Sequence, residues 1–191
     1  MNSRHDNVRN FNAKLLRNIC KDVEIEPGLH SVDGATFGKS ANISDEARLD
    51  IRARGFWRPG QNAFFDIRVT NADCESQKTK PIKSILRKHE MEKKRQYNTR
   101  IMEVEQASFT PLVFTVKGVM GHECNTYIKA LAEKLANKKG ESYNEVVRYI
   151  RVKISFLVLK ASLVCLRGSR TVNYQMDDAD DFAFNLCELR I

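Results

Sequence analysis

ARLDIRARGFWRPGQNAFFDIRVTN, running from Ala47 to Asn71, decides how this chain folds. It reads as two strands joined by a Pro-Gly loop. In the first strand Leu49, Ile51 and Ala53 alternate with Arg48, Asp50, Arg52 and Arg54; in the second, Phe65, Ile67 and Val69 alternate with Phe64, Asp66 and Arg68. Side chains on a strand alternate between faces. Asp50 and Asp66 are therefore expected opposite the more consistently apolar face, each among arginines. A two-residue turn at Pro59-Gly60 pairs Arg58 with Gln61 and sets Asp66 across from Ala53. Pro-Gly favours a type II turn, which fits a tight hairpin poorly, so a longer loop that draws the two aspartates together is expected. Two carboxylates on adjacent strands within a basic surface suit a divalent cation beside a phosphate. Exposed strand acids paired with neighbouring arginines are the other reading of the same spacing.

Outward from the hairpin, charge is unevenly spread. The 191 residues carry 32 Lys+Arg against 24 Asp+Glu, a net of +8 with a pI near 9.3, which favours a polyanionic partner. Nine basic residues lie between Lys78 and Arg100 against Glu90 and Glu92, while five acids follow Gln175 with only Arg190 to oppose them. The five cysteines (Cys20, Cys74, Cys124, Cys165 and Cys187) form no CxxC, and no apolar signal opens the chain, so reduced thiols in an intracellular protein are expected. The most apolar run, Ile154 to Leu166, is broken by Lys160 and is too short to span a membrane.

Before the hairpin, Asp6 to Cys20 is predicted as a helix with Val8, Phe11, Leu15 and Ile19 on one face. DVEIEP then makes a short strand, and a loop rich in Gly, Ser and Asn fills Leu29 to Asp45. After the hairpin, Pro81 opens a basic helix reaching about Glu105, striped by Ile82, Ile85, Leu86, His89, Tyr97, Ile101 and Val104. SFTPLVFTVK, Ser108 to Lys117, reads as a strand. A glycine turn, a helix over His122 to Asn137 stopping near Gly140, and a long helix from the Ser142/Glu145 capping box to Leu166, ended by Gly168, complete the order. His122-Glu123-Cys124 lacks the spacing of a structural zinc site and reads as a helix start. The whole is expected to be one domain over residues 1–170 followed by an acidic tail, 171–191. A three-strand meander, a crossover helix and a fourth strand predict an α/β sandwich around a mixed four-stranded sheet, with an extra C-terminal helix.

That order, with its aspartates on the second and third strands, resembles the α-β-β-β-α-β core of the PD-(D/E)XK nuclease superfamily. RLD (Arg48 to Asp50) stands where the first aspartate motif falls and FFDIRV (Phe64 to Val69) where (D/E)XK is expected. EKKRQY (Glu92 to Tyr97) is similar to a K-x-x-Y signature on the next helix, and FTPLVFTVKGVMG (Phe109 to Gly121) to the following strand and glycine turn. Together they resemble the restriction-like endonuclease domain of certain non-LTR retrotransposon polyproteins. One position departs: Arg68 stands where the pattern has lysine, and arginine holds its proton too firmly to transfer it.

The resemblance implies a metal-dependent DNA endonuclease, acting in the nucleus, with RNA as a further partner in a retroelement complex and no membrane. Asp50 and Asp66, with the carbonyl of Ile67, would hold Mg²⁺ or Mn²⁺ at the scissile phosphate, with Glu26 as an outer ligand or simply a solvated strand-end acid. Lys94, with Lys93 as second choice, would replace the missing lysine from the helix, and Arg68 would position phosphate. Arg48, Arg52, Arg54, Lys93, Arg95 and Tyr97 would contact the DNA backbone. A catalytically inactive nucleic-acid-binding module on the same fold is the alternative.

Overall fold

In the computed structural model of the chain, which describes residues 3–32, 40–75 and 77–167, the elements run α1 (Ser3–Ile19), β1 (Lys21–Ile25), β2 (Ile51–Arg54), β3 (Asn62–Thr70), α2 (Ile82–Glu103), β4 (Ser108–Thr115), α3 (His122–Lys139) and α4 (Tyr143–Arg167). This is an α/β arrangement in which the expected order of helices and strands holds throughout. The sheet is mixed, in the order β1-β2-β3-β4, antiparallel at its first two pairings and parallel between β3 and β4. The acidic segment 171–191 and the helix stop expected at Gly168 lie outside the described residues. Among the described residues no helix is long and apolar enough to cross a membrane.

The hairpin loop is long, as Pro-Gly suggests. Arg58 to Gln61 make a turn closed by Gln61 N–H to the Arg58 carbonyl (3.2 Å), with Gly60 at φ +76° supplying the positive dihedral. The pairing begins further in, with Gly55 N–H on the Gln61 carbonyl at 2.8 Å. The register that follows sets Ile51 opposite Phe65 and Ala53 opposite Ala63. One step beyond Ile51 and Phe65 are the two aspartates.

Because β4 runs parallel to β3, the chain must cross back over the sheet, and α2 makes that crossing. The two sheet faces are unequal. On one, Ile51, Ala53, Phe65, Ile67, Leu112 and Phe114 meet Val8 and Leu16 of α1, Tyr127 and Leu131 of α3, and Ile150 and Ile154 of α4. On the other, a smaller cluster of Leu49, Phe64, Ile101 and Phe109 lies under α2, with Tyr97 at its margin. β4 is buried along both faces, as its unbroken apolar run requires.

One expectation fails. Leu49 packs with Phe64 and Ile101 rather than with Ile51 and Ala53. The strand ends at Ile51, so the alternation that would put Leu49 on the Ile51 face stops before reaching it.

Candidate functional site

The break at Asp50 is a fork in the sheet. Gly55 and Gln61 form a hydrogen-bonded pair, so antiparallel alternation makes Ala53/Ala63 and Ile51/Phe65 the next such pairs and Leu49/Ile67 the one after. That last pair does not form. The segment before β2 stays with the continuation of β1, through Glu26 N–H to the Asp50 carbonyl (3.0 Å), Leu49 N–H to the Pro27 carbonyl (3.2 Å) and Leu29 N–H to the Ala47 carbonyl (3.0 Å). Meanwhile β3 runs on beside β4 to Thr70. The Ile67 N–H left facing the gap donates to Asp50 Oδ2 at 2.5 Å.

His5, near the start of α1, closes the other side of Asp50. Its Nε2–H donates to Asp50 Oδ2 at 3.0 Å, and its Nδ1 lies 3.5 Å from Asp6 Oδ1. The bond to Asp50 raises the imidazole above its ordinary range against the opposing effect of burial. Asp66, adjacent on the α2 face, is almost fully buried. Burial pushes its carboxyl up, Lys93 draws it down, and the neighbouring Asp50 charge raises it further.

The lysine that reaches Asp66 is Lys93, not Lys94. Lys93 Nζ stands 2.9 Å from Asp66 Oδ2 and 5.6 Å from the centre of the Tyr97 ring, one helical turn on. Lys94 turns away to Glu123 Oε1 at 2.5 Å, beside the start of α3. Adjacent residues on a helix diverge by about 100°, so only one of this pair can face the sheet.

The oxygen donors at the fork are of the kind a magnesium ion would take within its octahedral shell. Asp66 Oδ2 is buried, and its partner is the Lys93 ammonium at 2.9 Å. The Ile67 carbonyl points to the same edge as its N–H, toward the fork, because both groups of a strand residue face one neighbour. Among the described residues no group of three or more His, Cys, Asp and Glu is arranged for a metal. Two carboxylates and a carbonyl, completed by water and phosphate oxygens, is what Mg²⁺ accepts. Glu26 does not join them: its carboxylate is held by Arg9.

The other residues expected at the site are spread unevenly around it. Arg68 shares the Asp66 face but is tied to Glu92 Oε2 at 3.0 Å. Glu92 also takes His89 Nδ1 at 3.2 Å, and the second ring nitrogen of His89 meets Thr70 Oγ1 at 3.2 Å. Arg52 pairs with Glu24 at 2.6 Å and Arg54 with Asp22 at 3.6 Å, both toward β1. Arg48 and Arg95 are exposed. Tyr97 packs on Phe109, with ring centroids 5.8 Å apart, and its hydroxyl accepts from Asn42 Nδ2 at 3.1 Å. Its role in the structure is to pack against the sheet and support Lys93.

Composition hides two further residues. Arg100, counted with the basic cluster, is buried; its guanidinium donates to the carbonyls of Asn42 (2.8 Å), Ser44 (2.9 Å) and His30 (2.7 Å), pinning the loop before β2. Glu90 is buried on α2 and accepts the Glu123 N–H at 3.0 Å, capping α3 across the interface. The chain matches no protein-family model and no curated protein.

Proposed function

We propose that this chain is a metal-dependent endonuclease of the PD-(D/E)XK type that hydrolyses phosphodiester bonds in DNA, as the restriction-like domains of non-LTR retrotransposon polyproteins do. The observation that carries the reading is the fork, where Asp50 takes the Ile67 N–H, its charge acts on Asp66, and Lys93 pairs with Asp66; the Ile67 carbonyl, on the same strand edge as that N–H, would be the third ligand. The meander followed by a crossover helix and a parallel fourth strand supports it. So does a sequence resemblance running in the same order along the chain.

A Mg²⁺ or Mn²⁺ ion held by these three groups would neutralise charge on the scissile phosphate and acidify water there. The chain's own residues supply the rest. His5 and the Ile67 N–H fix one oxygen of Asp50, which sets the direction of the carboxylate. Lys93, part-buried and braced by Tyr97, keeps a cation where negative charge gathers in the transition state. It fills the place that Arg68, engaged by Glu92, leaves open. Arg48 and Arg95 hold the phosphate backbone without reading bases. In a retroelement this work falls in the nucleus, with RNA in the same complex.

Nicking of supercoiled plasmid with Mg²⁺ or Mn²⁺, wild type beside Asp66→Ala, tests the reading. Metal-dependent nicking that the substitution abolishes is expected. Binding to DNA that weakens with salt, survives Asp66→Ala and is accompanied by no nicking would replace the nuclease with the inactive binding module.

A further inference from the structure

Val152, Phe156 and Leu159 fall at i, i+4 and i+7 on α4 and so form one stripe. They are 63%, 59% and 53% exposed, an unusual surface for large apolar side chains in series. The turn after β4 makes the facing wall. A Cβ on Gly118 would stand 2.6 Å from Ser155 Oγ, so turn and helix touch there and form one surface. Between them Val116 and Lys117 on one side, and Arg151, Val152, Phe156 and Leu159 on the other, line a groove of about 430 Å³. Val119, in the same turn, is exposed as well.

We propose that this groove is the docking site of residues 182–189 of the same chain, FAFNLCEL. Three observations select this occupant. The segment supplies the matching apolar groups, since Phe182, Leu186 and Leu189 repeat at the same i, i+4, i+7 interval as the stripe. Charge complements it: Asp177, Asp178, Asp180 and Asp181 immediately precede the segment, while Arg151 lines the groove and Arg148 is exposed one turn before it; Lys117, on the other wall, is held by Asp73 at 2.9 Å. Reach is ample. From Leu159 to the last residue of α4, Arg167, is about 12 Å of helix at ~1.5 Å per residue. The intervening 168–181 can extend to about 46 Å at roughly 3.3 Å per residue. A tether of that length holds the segment at about millimolar effective concentration beside the groove, where even a weak apolar contact is populated.

Cys187 lies inside the segment and makes the test direct. In the full chain, Val152→Cys under mild oxidation is expected to form an intramolecular disulfide with Cys187, mapped by peptide mass. It should form at least about tenfold faster than one between Cys187 and Lys88→Cys on α2, the difference expected of a tethered neighbour. Phe182→Asp combined with Phe184→Asp should bring the rate down to the Lys88→Cys level. Equal rates at the two positions would overturn the proposal. A Val152→Cys bridge found only between two chains would overturn it too and give the groove to a second copy.

Discussion

Asp50 Oδ2 accepts the Ile67 N–H that a continuous ladder would have given to the Leu49 carbonyl. A side chain thus completes the backbone pairing at the point where β2 leaves β3, and the same carboxylate is a metal ligand in the function proposed above. Asp50→Ala would leave that N–H without its acceptor, at a cost of about 1–3 kcal/mol where water cannot replace it. Asp50→Asn keeps an acceptor oxygen and should retain most of the stability while abolishing nicking. Chemical denaturation of the two variants, beside the plasmid assay, separates the structural role of Asp50 from the functional one.

Lys93 and Lys94 should part company in activity. Loss of a cation aimed at developing charge costs about 10²–10³ in rate, so Lys93→Ala is expected to fall by that order. Lys94→Ala breaks only the pair with Glu123 and should stay within a few-fold of wild type. Single-turnover nicking of both variants checks the assignment; the reverse ranking would return the role to Lys94.

Gly121 and Glu90 should behave as a coupled pair. A Cβ at Gly121 would stand 2.1 Å from Glu90 Oε1, so Gly121→Ala must push the carboxylate off the start of α3. Losing a cap of this kind costs about 1 kcal/mol. In a Glu90→Ala background the same glycine substitution should be close to neutral, and a double-mutant cycle read by urea denaturation would show the coupling.

Glu90 also sets a pH dependence. Burial raises its carboxyl above the ordinary value of 4.5, so the folded chain binds that proton more tightly than the unfolded one. Stability is then lost as pH rises from about 4.5 through the folded value. Glu90→Gln keeps the acceptor for Glu123 N–H and removes the titration. Its melting temperature relative to wild type should therefore climb between pH 4 and pH 7. Asp66 is shifted in the same direction, so part of the wild-type slope remains in the variant.

Arg100 is expected to be among the most sensitive positions. Its three carbonyl acceptors lie on two stretches of the loop ahead of β2, and lysine cannot span them with one ammonium. Arg100→Lys should destabilise by roughly 1.5–3 kcal/mol, the range for losing buried hydrogen bonds made by a charged group. It should also speed hydrogen exchange at Asn42, whose N–H bonds the Gln96 carbonyl at 2.9 Å.

The order of elements and the long hairpin loop were legible because period-2 alternation, Pro-Gly and the helix-stopping Gly140 are local signals. The convergence of Asp50 and Asp66 followed from that loop. The fork did not, since Leu49 continues the apolar alternation in sequence and only the Asp50 bond to a distant amide ends the strand. Nor was the choice between Lys93 and Lys94 legible. The inward face of α2 includes His89, Glu90 and Arg100, polar residues that blur its helical phase, while Ile82, expected in the stripe, is largely exposed. Arg100 reads as one more surface cation until its three carbonyls are seen.

The crossover through α2 has a consequence for how the site comes into being. Asp50 and Asp66 are brought together by a hairpin, a contact between near neighbours in the chain that forms on a microsecond scale. Lys93 arrives only when α2 docks and β4 pairs parallel to β3, a closure spanning the chain from Ala63 to Ser108 and slower for its longer loop. Were the hairpin to form before α2 docks, the two acids would face each other without their cation, and their repulsion would work against it. Docking of α2 relieves that repulsion and thereby ties completion of the site to completion of the sheet.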